Sequence, residues 1–426
     1  MESPALLILA VAILAYGLVS RHLHRISLTA PIVFTALGVL IGSAALDLFD
    51  VDIASHQIEL LAELTLILVL FADAAGIDLR LLHADQAVPA RMLAIGLPLA
   101  VLLGTGAALL ILPGLGLWQA ALLATMLAPT DAALARSVLV DDRLPTRVKQ
   151  TLNAESGLND GLALPLVFLF LALAGTSAHA GADNPLIRWT GFFTAQAGLG
   201  ILVGVAAGGI SGRLVERAVK AGEMDKVFER LSAVALALLA YVGASLIGGN
   251  GFIAAFTGGM AFGRFTRRAR KPVISFGETE GQLLALLTFV VFGAVMLPQT
   301  LGALDWRMPL FALVSLFGVR PLAIWLSLAG TGLLTSTKLF FGWFGPRGLA
   351  SIVFALIVES QLGGDPAAPL VATVTLTVGL SVVLHGFSAG PLAALYARRL
   401  EARSDKDALM EFAQVEHGSN LKRSRF

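Results

Sequence analysis

The segment LWQAALLATMLAPTDAALARSVLV, residues 117–140, is apolar enough to span a bilayer, yet Pro129 and Asp131 lie near its middle. Proline removes a backbone hydrogen-bond donor and breaks a helix. An ionisable residue at the bilayer centre costs roughly 2.5–3.5 kcal/mol on insertion scales, so it usually faces the bundle interior and marks an ion pathway. The segment therefore predicts a broken membrane helix that carries a functional carboxyl group.

The rest of the chain has the composition of a membrane protein. Of its 426 residues, 57% are hydrophobic and 14% are charged, and apolar runs of about 20 residues recur from end to end. The chain contains no Cys, which excludes disulfides and thiolate metal sites. We predict an all-α polytopic membrane protein with about thirteen transmembrane helices, at residues 3–20, 29–48, 57–77, 91–112, 117–140, 150–174, 189–212, 231–248, 250–263, 281–299, 307–330, 339–360 and 367–397.

The distribution of basic residues predicts the orientation of these helices. If the first helix starts outside, 25 of the 30 Lys and Arg residues fall on the inner side and two on the outer side. By the positive-inside rule, the N-terminus is outside and the C-terminus cytoplasmic, in the cell (inner) membrane. Residues 1–397 then form the transmembrane domain and residues 398–426 a short cytoplasmic tail.

An odd number of spans fits two six-helix repeats of opposite orientation around one linker helix. The fifth and twelfth spans would then correspond, and Pro129 interrupts the first as Gly-Pro-Arg-Gly at 345–348 interrupts the second. Paired Gly/Pro-interrupted helices at matching places in two halves are the best sequence indication of a transporter's binding site. We therefore expect two broken helices to cross at such a site.

Charged residues on four predicted helices lie at one depth. They stand about 8–10 residues from the inner ends, which is roughly 12–15 Å at 1.5 Å per residue and near the middle of a ~30 Å hydrocarbon layer. The four residues are Asp131, Asp160, Arg320 and Arg347. We expect the site at this level.

Helix geometry separates two roles within ESGLNDG, residues 155–161. Ser156 and Asp160 are four residues apart and share one face of a helix, whereas Glu155 and Asn159 share the adjoining face. One face can present oxygen atoms to an ion while the other contacts a partner residue.

Arg320 and Arg347 need partners at this depth, because an unpaired buried charge costs several kcal/mol. We expect Glu155 to form a structural ion pair with Arg320, and Arg347 to support the ends of the broken helices. The break at Pro129 frees backbone carbonyls near Thr130, and such carbonyls suit an alkali cation.

In these motifs the chain resembles the monovalent cation/proton antiporter-1 family, the bacterial sodium/proton exchanger type. The matching pieces are APTDAAL at 128–134, ESGLNDG at 155–161, Arg320-Pro321 and GPRGLAS at 345–351, and the resemblance extends to about residue 397. It departs from the family pattern at Ala132, where members often have Pro.

The resemblance implies a homodimer with a mobile core of helices around 91–174 and 307–397 and with interface helices among the remainder. It also implies a site for a cation or a proton. Its residues would be Asp131, Asp160, Ser156 and the Thr130 backbone, with Glu155 and Asn159 adjoining and Arg320 as the partner of Glu155.

The expected function is exchange of a monovalent cation for H⁺ by alternating access. A carboxyl group in a low-dielectric site keeps its proton to a higher pH, so a proton and a cation can compete for it near neutrality. Asp160 is the group we expect to bind them in turn. Electrogenic relatives of the fold carry a second acid where this chain has neutral Asn159, so we expect electroneutral one-for-one exchange.

Several alternatives remain from the sequence alone. Na⁺ is the preferred cation, but the same oxygen ligands bind Li⁺ and K⁺, so a K⁺/H⁺ antiporter is the first alternative. A channel and a proton-coupled transporter of a small anion are less favoured. An intramembrane aspartyl protease is the least favoured, because neither Asp131 nor Asp160 lies in a Gly-x-Gly-Asp element. No enzymatic activity, cofactor or nucleic-acid partner is expected; membrane lipids surround the chain.

Overall fold

The computed structural model describes residues 3–25, 28–48, 53, 55–77, 87–131, 134, 136–139, 141–176, 185–402 and 411. Helices dominate these residues, and no strand occurs among them. In chain order the helices are α1 Ser3–Arg25, α2 Ala30–Ile41, α3 His56–Gly76, α4 Ala87–Ile111, α5 Leu117–Met126, α6 Arg136–Leu139, α7 Thr146–Thr176, α8 Pro185–Ala221, α9 Lys226–Leu246, α10 Gly251–Phe265, α11 Arg270–Gly302, α12 Arg307–Ser327, α13 Thr335–Trp343, α14 Leu349–Leu362 and α15 Gly364–Glu401.

The polytopic all-α class is confirmed. Each predicted span coincides with one helix or with two half-helices, and eight helices of the described chain are long and apolar enough to cross a membrane. The count of thirteen crossings stays a prediction. Several predicted boundaries were wrong. Three helices continue past their apolar parts: α11, which holds the tenth predicted span, starts at Arg270 rather than 281, α8 runs to Ala221, beyond 212, and α15 runs to Glu401, beyond 397.

Both predicted interruptions are present and they meet. Helix α5 ends at Met126, before Pro129, and the chain becomes helical again in α6. Helices α13 and α14 are separated by residues 344–348. The N–H of Asp131 donates to the carbonyl of Pro346 at 2.8 Å, so the two breaks cross at their centres.

Three helices contain a π-helical turn shortly before a proline. The turns 92–96, 292–296 and 315–319 precede Pro98, Pro298 and Pro321. A proline ring strikes the carbonyl four residues back, and a local π turn relieves that clash inside a membrane helix. The third turn ends immediately before Arg320, so Pro321 helps to set where this arginine leaves α12.

Helices α8 and α10 pack closely because glycines face each other. A Cβ atom at Gly204 would overlap Ala254 and Thr257, and one at Gly208 would overlap the backbone of Gly258. Small residues let membrane helices approach at backbone distance. These two glycines of α8 therefore pack against α10 within one chain.

Candidate functional site

Asp131 and Arg347 each bind the backbone of the other broken helix. The Arg347 guanidinium, from the second break, donates to the carbonyls of Ala128 at 2.7 Å and Pro129 at 3.0 Å in the first break. In return, Asp131 Oδ2 accepts a hydrogen bond from the N–H of Leu349 at 2.9 Å. Each side chain thus meets the helix end whose dipole favours its charge.

Most of the carbonyls that Pro129 frees already have donors. Ser351 Oγ, on α14, donates to the Met126 carbonyl at 2.7 Å, and Arg347 donates to the carbonyls of Ala128 and Pro129. Ser156 Oγ donates to the Thr130 carbonyl at 2.6 Å. The expectation of free carbonyls is therefore too broad, since Arg347 occupies two of them. The Thr130 carbonyl lies beside the predicted ligand Ser156, and it retains a second lone pair.

Glu155 and Arg320 form the predicted ion pair. Arg320 Nη1 and Nη2 donate to Glu155 Oε1 and Oε2, both at 3.1 Å, and the two side chains are 5% and 6% exposed. A two-pronged contact of this kind fixes both side chains geometrically. Gly345 makes room for it, because a Cβ atom there would overlap the Arg320 guanidinium.

Asn159 bridges the first break to α7. Its Nδ2 donates to Thr130 Oγ1 at 2.6 Å and lies 3.3 Å from Glu155 Oε1. Thr130 Oγ1 lies 3.4 Å from Glu155 Oε2. Glu155 and Asn159 thus engage protein partners along one face of α7, as helix geometry predicted.

Asp160 differs from the other two carboxylates of the crossing, Asp131 and Glu155, which both accept hydrogen bonds. Its Oδ1 is buried and makes no hydrogen bond with the described part of the chain. The carboxylates of Asp73, Asp131 and Glu155 lie near enough to act on its charge. A buried carboxylate oxygen without a donor is costly, and a proton or a bound cation would satisfy it.

A small cavity of ≈ 10 Å³ lies at the crossing. Thr130, Asp131, Ser156 and Pro346 contribute to its lining. Its volume is close to that of one water-sized probe, so it suits a single small ion or water molecule. No cluster of three acidic or histidine side chains occurs among the described residues. A cation bound here would therefore take hydroxyl and carbonyl oxygens as well as carboxylates.

Asp73, on α3, is exposed and acts electrostatically on Asp160. The sequence alone allows this acid near a helix end either to line a cation entrance or to be an ordinary solvated residue. Ser381 Oγ accepts the Arg347 N–H at 2.7 Å, and His385 Nε2 lies 2.9 Å from the Trp343 carbonyl, as for a core histidine. Asp78, a second acid near the inner end of the third predicted span, and the side chain of Arg136, in the fifth, lie outside the described residues.

Comparison with known proteins agrees with this geometry. The family described as sodium/hydrogen exchanger, transmembrane, matches residues 8–395. The chain belongs to this family. The sodium/hydrogen exchanger match covers both breaks, α7 and Arg320, and thus the whole crossing described above.

Individual members of the family are more distant. The K(+)/H(+) antiporter NhaP of Alkalimonas amylolytica is 29% identical over 96% of this chain and 70% of its own length. The K(+)/H(+) antiporter NhaP2 of Shewanella sp. (strain MR-4) is 31% identical over 63% of this chain and 46% of its own length. The chain thus matches about half of that relative.

A solved structure has the same fold. The sodium proton antiporter MjNhaP1 from Methanocaldococcus jannaschii, determined at pH 8, superposes with a TM-score of 0.76 at 25% identity. The alignment covers 92% of this chain and 98% of that one. The resemblance stated from the motifs is confirmed.

Proposed function

We propose that this chain exchanges a monovalent cation for H⁺ across a membrane by alternating access. The observation that carries the proposal is the buried, unbonded Oδ1 of Asp160 on α7. Asp160 lies one helical turn after Ser156, which lines the small cavity at the two crossed helix breaks. The other charges at the crossing have partners: Glu155 has Arg320, and Arg347 has backbone carbonyls. Asp160 is left to bind a proton or a cation in turn.

The proposed ligands are Asp160, Asp131, Ser156 Oγ and the Thr130 carbonyl. Asn159 and Glu155 adjoin them and hold Thr130 in place. Asp73 joins the set from α3 as an exposed acid that would lower the energy of a cation near Asp160. Arg320 and Arg347 support the site without touching the ion, because each already binds a protein acceptor.

Na⁺ is the proposed cation, and K⁺ is the specific alternative. The names of the relatives from Alkalimonas and Shewanella state K⁺/H⁺ antiport, whereas that of MjNhaP1 states sodium/proton antiport. Both ions use oxygen ligands, and the tight cavity favours the smaller ion. We further propose one-for-one stoichiometry, a homodimer in the cell (inner) membrane, an outside N-terminus and a mobile core of helices around 91–174 and 307–397.

Transport by purified protein in proteoliposomes tests the proposal. Vesicles loaded with a pH-sensitive dye receive Na⁺, Li⁺ or K⁺ in turn, and proton movement is recorded for each. Asp160→Asn should abolish proton movement with every cation while leaving folded protein. The matched control is Asp142→Asn, which alters a fully exposed acid with a side-chain accessibility of 104%. Retained exchange by Asp160→Asn, at the rate of the control, would reject this site.

A further inference from the structure

Glu411 is a buried carboxylate in the segment that follows the last helix. It is 1% exposed, although the chain around it is polar. Its Oε1 accepts a hydrogen bond from the N–H of Leu334 at 3.0 Å and another from Thr337 Oγ1 at 2.6 Å. Tyr396 Oη lies 2.9 Å from Thr337 Oγ1. Because Thr337 gives its only hydroxyl proton to Glu411, Tyr396 must be the donor in that pair.

These contacts cap the first turn of α13. The first N–H groups of a helix have no partner within it, and the helix dipole favours negative charge there. The residue at the cap position, Leu334, has a side chain that cannot accept a hydrogen bond, and no local side chain caps the helix. Glu411, 77 residues further along the chain, accepts the N–H of this cap residue and the hydroxyl of Thr337 in the first turn, so its carboxylate lies at the positive end of the helix dipole.

The opposite end of α13 leads directly into the candidate ion site. The helix has nine residues and ends at Trp343, so it is about 13 Å long. Pro346, three residues later, accepts the N–H of Asp131 at 2.8 Å. The ring of Phe340 stacks on Tyr396 with 4.3 Å between centroids, which ties the middle of α13 to α15. A short helix held in this way transmits a shift at its start to the break at its end.

We infer that Glu411 is a positioning residue for the ion site: by capping α13 it fixes where the second break meets Asp131. This inference rests on the proposed function. It gives Glu411 a role in the geometry of transport without making it one of the proposed ion ligands. Loss of the cap should weaken cation binding, because Asp131 and the Pro346 carbonyl would no longer be held in register.

The test is cation-dependent proton exchange in proteoliposomes, with apparent K0.5 and maximal rate measured separately. Glu411→Ala should raise K0.5 at least about fivefold, the lower end of typical coupling between sites. Glu411→Gln keeps an acceptor oxygen and should restore most of the affinity. The matched control is Glu401→Gln, which neutralises an exposed acid at the end of α15 and should leave K0.5 unchanged.

A double-mutant cycle separates the cap from general damage to the fold. Thr337→Val removes one of the two donors to Glu411 and should also raise K0.5. Combined with Glu411→Ala it should add little, because the two residues act through one contact. Thermal unfolding of each purified variant is measured alongside. A purely structural role would lower the unfolding temperature and leave K0.5 at the wild-type value.

Unchanged K0.5 in Glu411→Ala overturns the inference, whatever its unfolding temperature. If that variant yields no folded protein, K0.5 is measured in Glu411→Gln and Thr337→Val instead. Wild-type K0.5 in both variants overturns the inference. A raised K0.5 in Thr337→Val supports it. If wild-type protein moves no protons with Na⁺, Li⁺ or K⁺, the proposed function fails and this inference fails with it. Wild-type exchange with an unaltered Glu411→Ala rejects only the role of Glu411.

Discussion

Gly348→Ala is the sharpest test of the crossing, because a single methyl group would enter the contact between the two breaks. Gly348 directly precedes α14 and lies against Asp131. A Cβ atom at this position would overlap Asp131 Oδ2 and lie 2.7 Å from the Asp131 Cβ and Cγ atoms. Non-bonded carbon atoms pack at about 3.5–4.0 Å, so the contact must open by about 1 Å.

Asp131 cannot move away freely to relieve this overlap. Its N–H is bound to the Pro346 carbonyl and its Oδ2 to the N–H of Leu349. Ligand distances at ion sites tolerate about 0.2 Å, so a shift of 1 Å exceeds this tolerance several-fold. Misplacement by 1 Å can cost on the order of 10²-fold in rate at a preorganised site. We expect a loss of that size in exchange at subsaturating cation concentration.

The assay is initial proton movement per folded transporter in proteoliposomes. The control is Gly106→Ala on α4, where an added Cβ atom meets nothing within 4 Å. Alanine is favoured over glycine inside a helix by roughly 0.5–1 kcal/mol, so this control should fold at least as well as wild type. If Gly348→Ala transports as fast as Gly106→Ala, Asp131 is not held against the second break and the crossing is wrongly described.

Three further predictions follow from the packing. Glu155→Gln or Arg320→Gln alone should lower the free energy of unfolding by about 3–5 kcal/mol, because each leaves one buried charge without its partner. Replacing both residues by apolar ones should recover most of this loss, as measured by thermal unfolding. If the single variants are as stable as wild type, the ion pair is solvated rather than buried. Gly208→Leu should reduce the yield of folded protein, whereas Gly198→Leu, at a position with nothing within 4 Å of a Cβ atom, should not. Asp73→Asn should raise K0.5 for the cation without abolishing exchange; an unchanged K0.5 would remove Asp73 from the site.

The features that can be predicted from the sequence are those whose energetic cost depends only on the neighbouring residues. A proline or an acid inside an apolar run is expensive wherever the run is placed, which is why Pro129, Asp131 and the Gly-Pro break at 345–348 could be assigned. Glu155 and Arg320 could be paired because an unpaired buried charge is strongly destabilising and both residues lie at the same predicted depth. The predicted membrane depth and the energetic cost of burial were together sufficient to predict these features.

Contacts between distant segments could not be assigned in this way. Arg347 binds a carbonyl 219 residues away, and local sequence does not show that this carbonyl is free to accept. Asp73 looks like any solvated acid near a helix end until the fold brings α3 beside Asp160. Glu411 stands in a polar tail, and only the tertiary structure shows that α13 lacks a cap of its own.

The fixed charges at the two breaks have partners within the protein, and this supports electroneutral transport. Arg347 compensates the carbonyl end of α5, Asp131 compensates the amide end of α14, and Arg320 compensates Glu155. These partners are internal to the protein, so their charges contribute equally to the proton-loaded and the cation-loaded form. Asp160 then carries either one proton or one monovalent cation, and both loaded forms have the same charge. Asn159, already bound to Thr130, adds no second titrating group. Cation-driven proton movement should therefore generate no current and should not respond to an imposed membrane potential; a steady current in proteoliposomes would require a second proton and contradict a single exchanging carboxyl group.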